Sequence, residues 1–238
     1  MISFQHTVFG YQRPLISIEN LTLESGKVYA LLGLNGSGKS TFLKTLAAQT
    51  PLLAGSLTLN NYPLAQLAKD GNLRAQQIAF VSSRFDGIEH LTVFDYVALG
   101  RIPYLSVLGK MTALDQQRVI ETLKELALTH LTQKRTKELS DGEKQLVSLA
   151  RAFVQDTPLL LLDEPSSFLD FLNRENLLLA LLKWVGQGQR CVLLSSHDID
   201  LCLEHNLPIL ALAGGQIQEL LGQDKKEVLS ILLKGAAH

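Results

Sequence analysis

Four consecutive leucines, Leu159–Leu162, lead directly into two carboxylates, Asp163 and Glu164. Successive side chains of a strand point to opposite faces, so a strand with no polar position must be buried on both. Val28–Leu32 and Ile78–Val81 are short apolar runs of the same kind, and Cys191–Ser195 and Pro208–Leu212 also read as strands. Helical segments lie between them: one opens at about Lys39, and another carries Leu177–Val185. This alternation predicts an α/β chain with a mainly parallel sheet.

Two regions depart from it. Near the N-terminus Ile16, Ile18, Leu21 and Leu23, then Leu57-Thr58-Leu59, alternate with polar residues, which predicts a small antiparallel β region. From about residue 84 to residue 157 the signals are helical. Thr92 with Asp95, Thr112 with Asp115 and Ser140 with Glu143 each have capping-box spacing. They predict a short helix through Leu99, a longer one through about Leu128, and a third starting at Ser140. This stretch lies between strand segments, so we expect a helical subdomain inserted in a single domain spanning 1–238. The helix opening at Lys39 should stop near Gln49-Thr50-Pro51, where proline ends it. Gly214-Gly215 between apolar runs predicts a terminal hairpin, and residues 224–234 a closing helix.

Charge and composition remove several functional classes. Lys and Arg number 22 against 23 Asp and Glu, so there is no general electrostatic drive toward nucleic acid. The two cysteines, Cys191 and Cys202, cannot build a disulfide scaffold and match no zinc pattern. They read as buried small side chains. No apolar run approaches the roughly 18 residues of a spanning helix. The first residues lack the pattern of a signal peptide. The expectation is a chain held at a membrane, if at all, by another subunit.

The strand Val28–Leu32 feeds Gly33-Leu34-Asn35-Gly36-Ser37-Gly38-Lys39-Ser40, which fits G-x-x-x-x-G-K-[ST], and a helix opens directly after it. Glycines let the backbone wrap an anion with its N–H groups turned inward. The helix start adds unpaired N–H groups and the positive end of its dipole. Lys39 would reach the β and γ phosphates of a nucleotide, Ser40 would hold Mg²⁺, and Thr41 would bind the α phosphate. Strand, glycine loop and helix in this order indicate a P-loop NTPase core. Asp163 and Glu164 stand at the carboxyl end of a strand, where ligands gather in parallel sheets. Asp163 suits Mg²⁺, and Glu164 suits a general base acting on water. Ser140 and Gly142 start a helix whose free amides also suit a phosphate.

Gly33–Thr41, Leu139–Gln145 and Leu159–Pro165 occur in that order and resemble the Walker A, signature and Walker B motifs of ABC transporter ATPase subunits. Ser167-Phe168-Leu169-Asp170 resembles the D-loop of that family, and Ser195-Ser196-His197-Asp198 its switch histidine. Tyr11 stands where the family has an aromatic residue that stacks on adenine. The likeness runs from about residue 3 to residue 222. It implies that Gly33, Asn35, Gly36, Ser37, Gly38, Lys39, Ser40 and Thr41 cradle ATP with Mg²⁺, and that Lys39, Glu164 and His197 serve hydrolysis. It also implies that two copies meet head to tail, so that Ser140 and Gly142 contact the nucleotide held by the other copy. Asp170 joins the nucleotide-binding set on the same ground.

Two motifs depart from the family pattern, at three residues. The family's glutamine after the strand Ile78–Val81 is replaced by Ser83, while Gln76 and Gln77 lie before that strand. A serine is shorter and would reach Mg²⁺ only through water. The usual signature L-S-G-G-Q carries Asp141 and Glu143 here. These carboxylates would repel an incoming phosphate unless they turn onto Lys144 or the helix amides, so weaker ATP-driven closure is expected.

Val97–Leu105 resembles a segment of the ATPases of iron-siderophore, haem or cobalamin importers, which lies near the docking surface for the membrane subunit. The resemblance therefore implies multi-spanning permease partners, indirectly a substrate-binding protein, and a peripheral position on the cytoplasmic face of the cell membrane. Two other readings stay open on the sequence. One is a soluble ABC ATPase of cluster assembly, which has a similar length. The other is a weakly hydrolysing nucleotide-dependent regulator, suggested by the two departures and opposed by Glu164 and His197.

Overall fold

The apolar runs become the inner strands of one large sheet. A computed structural model describes residues 2–106, 109–220, 222 and 224–234. Within them are strands β1 (Ile2–Gly10), β2 (Pro14–Leu23), β3 (Val28–Gly33), β4 (Ala54–Leu59), β5 (Tyr62–Pro63), β6 (Ile78–Val81), β7 (Leu159–Leu162), β8 (Cys191–Ser195), β9 (Ile209–Ala213) and β10 (Gln216–Leu220). Their spatial order is β5-β4-β1-β2-β10-β9-β3-β8-β7-β6. β9, β3, β8, β7 and β6 are parallel neighbours. β1, β2, β4 and β5 form the antiparallel region, and β9–β10 is the terminal hairpin.

The parallel strands are apolar throughout because each faces two cores. In β3, Val28, Ala30 and Leu32 enter one cluster and Tyr29 and Leu31 the other. In β7, Leu160 and Leu162 enter the first cluster, and Leu159 and Leu161 the second. β8 divides in the same way, with Cys191 and Leu193 opposite Val192 and Leu194.

The α-helices are α1 (Lys39–Leu46), α2 (Leu64–Lys69), α3 (Gly71–Gln77), α4 (Val93–Ala98), α5 (Ala113–Glu125), α6 (Asp141–Gln155), α7 (Phe171–Gly186), α8 (Ile199–Glu204) and α9 (Lys225–Lys234), with short 3-10 turns at Leu99–Tyr104, Thr129–Leu131 and Thr136–Glu138. α4, α5 and α6 each start with the capping box that the sequence predicts. Their inner faces make a third core, with Val93, Val97, Val119, Leu123, Val147 and Val154.

Two helices stop earlier than expected, by the same device. α1 ends at Leu46, not at the proline: Ala48 takes a φ of 53° and the Gln49 amide bonds back to the Lys44 carbonyl. α5 ends at Glu125: Ala127 takes a φ of 56° and the Leu128 amide bonds to the Leu123 carbonyl at 2.7 Å. A left-handed residue closes a helix this way, and it is normally glycine. Alanine in that place leaves no sign in the sequence. The short α2, α3 and α8 also carry too few residues for a clear period.

Candidate active site

The carboxyl ends of four neighbouring parallel strands gather the site. β3 ends in the glycine loop, β8 in Ser195 and His197, β7 in Asp163 and Glu164, and β6 is followed by Ser83. The Asp163 amide donates to the Val81 carbonyl at 2.9 Å, which ties the β6 and β7 ends together.

Gly36 and Gly38 have φ values of 78° and 107°, where a side chain is strained. A Cβ on Gly38 would also lie 2.7 Å from Leu15 Cδ2. Gly38 stands in the capping position before α1 and has no side chain to cap it, so the first amides of α1 have no side-chain acceptor there. The Ser37 hydroxyl is buried and unpartnered among the described residues. Lys39 is only 6% exposed; its ammonium donates to the Gly33 carbonyl at 2.8 Å and the Leu34 carbonyl at 3.2 Å. Burial lowers its pKa, and the charges of Glu164 and Asp163 pull it back only in part. Ser40 and Thr41 follow on the first turn of α1, half-buried. The loop therefore brings together Lys39, the unpartnered Ser37 hydroxyl and the uncapped start of α1, a donor set that suits an anion.

Asp163 is buried and accepts from the Ser195 hydroxyl at 2.9 Å. Glu164 has a φ of 49°, in the left-handed region that a residue with a side chain rarely adopts. Its Oε1 lies 2.9 Å from His197 Nε2, and Ser167 donates to its Oε2 at 3.3 Å. Burial raises the Glu164 pKa, but the hydrogen bond and charge of His197, with Lys39 and Ser167, outweigh it and leave it below the ordinary value. Glu164 is therefore a carboxylate at neutral pH. The Ser40 hydroxyl and Asp163 carboxylate are hard oxygen donors, a set that fits Mg²⁺ completed by phosphates and water.

Ser140 and Gly142 lie elsewhere in the chain. Ser140 caps α6, and a Cβ on Gly142 would lie 3.3 Å from the Phe168 carbonyl. Asp141 and Gln145 share a cavity of about 210 Å³ with Arg84, Phe85 and Phe168, none of which belongs to the glycine loop. Glu143 folds back onto the Ser140 amide at 2.7 Å and lies 3.6 Å from Lys134. Its pKa is lowered, first by that amide. Asp141 pairs with Lys144 at 3.1 Å. Asp170 caps α7 by accepting from the Asn173 amide at 2.8 Å. Tyr11, in the turn between β1 and β2, is 60% exposed. Gln76 reaches the Pro103 carbonyl at 2.9 Å rather than the site. Cys191 and Cys202 are buried, and burial pushes both thiols up to about 12. Ser167 and Ser195, which hold Glu164 and Asp163, were not singled out by sequence reasoning. Ser195 closes β8 and His197 follows two residues later, and both meet Glu164.

The model of the family described as "ABC transporter" matches residues 17–167. The chain belongs to the ABC transporter family. An ABC transporter ATP-binding protein of Methanocaldococcus jannaschii is 36% identical over 205 residues, 85% of this chain and 70% of that protein. The thiamine import ATP-binding protein of Aliivibrio fischeri is 31% identical over 98% of this chain and 99% of its own. The iron(3+)-hydroxamate import ATP-binding protein of Bacillus subtilis is 30% identical over 91% and 80%. Among solved structures, a metal-chelate-type ABC transporter in an inward-facing conformation aligns at a TM-score of 0.82 and 27% identity, over 98% of this chain and 88% of that one. A dimeric ABC cassette in a post-hydrolysis state with ADP and phosphate aligns at 0.82 and 25% identity. The fold is thus that of an ABC ATPase, with a P-loop core, and the chain is an ATP-binding subunit whose hydrolysis is coupled to transport.

Proposed function

We propose that this chain hydrolyses ATP for an importer of a metal chelate, of the iron-siderophore, haem or cobalamin kind. It acts as one domain with a helical subdomain at about 84–157. The observation that carries the catalytic part is Glu164: an ionised carboxylate held by Ser167 and His197, with its backbone amide held by Ser195, at the end of the strand beside β8. Glu164 accepts a proton from water as it attacks the γ phosphate, His197 holds Glu164 in place, and Lys39 leaves its carbonyl partners to offset charge on the phosphates. Gly33, Asn35, Gly36, Ser37, Gly38 and Thr41 wrap the phosphates, and Tyr11 offers an exposed ring to the adenine. Ser40 and Asp163 are the residues that would hold Mg²⁺, with Ser83 reaching it through water. When bound, Mg²⁺ supplies charge neutralisation at the β and γ phosphates.

Ser140, Gly142 and Asp170 are assigned to the nucleotide on a second copy, in a head-to-tail dimer. This reading is supported by their separation from the chain's own loop and by the dimeric cassette. The permease docks near the turn at residues 99–104, where Ile102 and Tyr104 are exposed. A peripheral place at the cytoplasmic membrane face and a substrate-binding protein follow from the importer reading. No helix among the described residues is long and apolar enough to cross a membrane. The metal-chelate cargo rests on Val97–Leu105, on the metal-chelate-type transporter and on the hydroxamate relative. The thiamine relative, at similar identity, marks the competing cargo class.

Glu164→Gln keeps the shape and removes the base. It should retain ATP and lower hydrolysis at least about 100-fold. Turnover near the parent rate refutes the base assignment. Purification from native membranes, with mass spectrometry of what accompanies the chain, tests the cargo. A metal-chelate permease supports it, and a thiamine or other permease, or cluster-assembly partners alone, overturns it.

A further inference from the structure

We propose that Ser195 is a positioning residue that locks the metal-facing carboxylate and the general base to one another. The proposal rests on the reading of Asp163 and Glu164 given above. Ser195 is the last residue of β8 and is fully buried. Its hydroxyl donates to Asp163 Oδ1 at 2.9 Å and accepts from the Glu164 amide at 2.8 Å. The roles are forced. An amide only donates, so the hydroxyl accepts from it and gives its own proton to the Asp163 oxygen. Alanine or valine can do neither, and threonine can do both.

The bridge fixes two things at once. It holds the Asp163 carboxylate at the end of β8, next to the strand that carries the glycine loop. It also satisfies the Glu164 amide in the left-handed conformation that the Glu164 φ of 49° represents. Ser167 completes that turn from the other side, its hydroxyl donating to the Glu164 carbonyl at 3.0 Å. β8 also pairs with β3, the strand that carries the loop, through Leu31 and Ser195. One hydroxyl thus joins the ends of β7 and β8 beside the loop, while His197, two residues on, holds the other end of Glu164. Ser195 acts through Asp163 and Glu164 and need not touch nucleotide.

The test compares Ser195→Ala and Ser195→Thr in the assembled transporter. Ser195→Ala should lower kcat for ATP by about 10- to 100-fold, the loss of one or two buried hydrogen bonds to charged or constrained groups, with KM for ATP within about twofold. The Mg²⁺ concentration for half-maximal rate should rise by about tenfold, because Asp163 is no longer held. Hydrogen exchange of the 163–167 segment should be at least about tenfold faster without nucleotide or metal, a readout independent of turnover. Ser195→Thr should restore all three to within about threefold of the parent. Ser195→Cys keeps the volume if alanine does not fold, and must show the same losses. Unchanged kcat and unchanged exchange in either the alanine or the cysteine variant overturn the proposal. If Glu164→Gln is inactive while Ser195→Ala behaves as the parent, the Ser195 inference fails alone. If Glu164→Gln itself turns over normally, the base assignment is what fails.

Discussion

Asp115→Asn is the perturbation whose magnitude the structure sets most directly. Asp115 and Arg101 are buried together, their side chains 9% and 7% exposed, with Arg101 Nε donating to Asp115 Oδ1 at 2.9 Å. Asp115 also takes the Thr112 amide and hydroxyl, at 3.0 and 2.7 Å, as the far end of the α5 capping box. These bonds, the Thr112 hydroxyl first, draw its pKa from 3.8 to about 2 against the opposing effect of burial. That lowering corresponds to roughly 2 to 3 kcal/mol of stability carried by the ionised form. The folded value is depressed, so this stability is complete above about pH 4 and is lost as pH falls toward about 2. Asparagine keeps an acceptor for Thr112 but leaves the Arg101 cation without its counter-charge. We therefore expect Asp115→Asn to lose roughly 2 to 3 kcal/mol at pH 7, and the gap to the parent to close between about pH 4 and pH 2. Urea unfolding followed by Trp184 fluorescence reads this. Trp184 is the only tryptophan and stacks on Phe153 of α6, where the helical segment meets the sheet core. A difference that stays constant with pH, or one below about 0.5 kcal/mol at pH 7, refutes the reasoning. Arg101 also donates to the Val154 carbonyl and lies 4.1 Å over the Tyr104 ring. The same variant should therefore loosen the 99–104 turn and lower permease-stimulated hydrolysis more than basal hydrolysis.

Lys39→Ala removes a buried cation whose present partners are two carbonyls of its own loop. Equilibrium binding of a fluorescent ATP analogue should weaken at least about 100-fold, since a charge-assisted contact to phosphate is lost, and tight binding would contradict the loop assignment. Gly38→Ala places a Cβ at a φ of 107° and 2.7 Å from Leu15 Cδ2, and should cost roughly 1 to 2 kcal/mol in thermal or urea unfolding along with nucleotide affinity. Gly71→Ala, where a Cβ meets nothing within 4 Å and no left-handed φ is involved, is the control and should stay within about 0.5 kcal/mol of the parent.

What could be read in the sequence follows from how local the determining physics is. The parallel strands were legible because burial on two faces leaves no polar position, as in Leu159–Leu162. The three capping boxes were legible because serine or threonine and an acid three residues on satisfy each other within one turn. The early stops of α1 and α5 were not, because Ala48 and Ala127 take a conformation that glycine usually marks. The glycine loop could be read whole, since its conformation is written in its own glycines. The support of Glu164 could not. Ser167 and Ser195 are ordinary serines until the chain ends of β7 and β8 bring them to 3.3 and 2.8 Å of Glu164 atoms, and Ser195 is 31 residues away in sequence. His197 became informative only as part of an ordered set of motifs.

The signature segment shows how local pairing can change the meaning of a sequence departure. Asp141 and Glu143 add two negative charges where a second copy's nucleotide is expected to arrive, and the sequence alone predicts repulsion. In the folded chain each meets an ammonium group, Lys144 at 3.1 Å and Lys134 at 3.6 Å, so the local sum of the four charges is zero. Both acids also sit in the first turn of α6, where the helix dipole favours negative charge. Glu143 is used further as a cap, its carboxylate taking the Ser140 amide. The Ser140 hydroxyl meanwhile accepts from the Glu143 amide at 3.3 Å. The same hydroxyl also turns its proton toward the Glu143 carboxylate and helps to lower its pKa, so it must leave that carboxylate to donate to a phosphate oxygen. The electrostatic source of the expected repulsion is thus largely offset within α6 and its neighbours. What remains of the penalty is the engagement of the Ser140 amide and hydroxyl by Glu143, a cost in hydrogen bonds rather than in two unpaired charges.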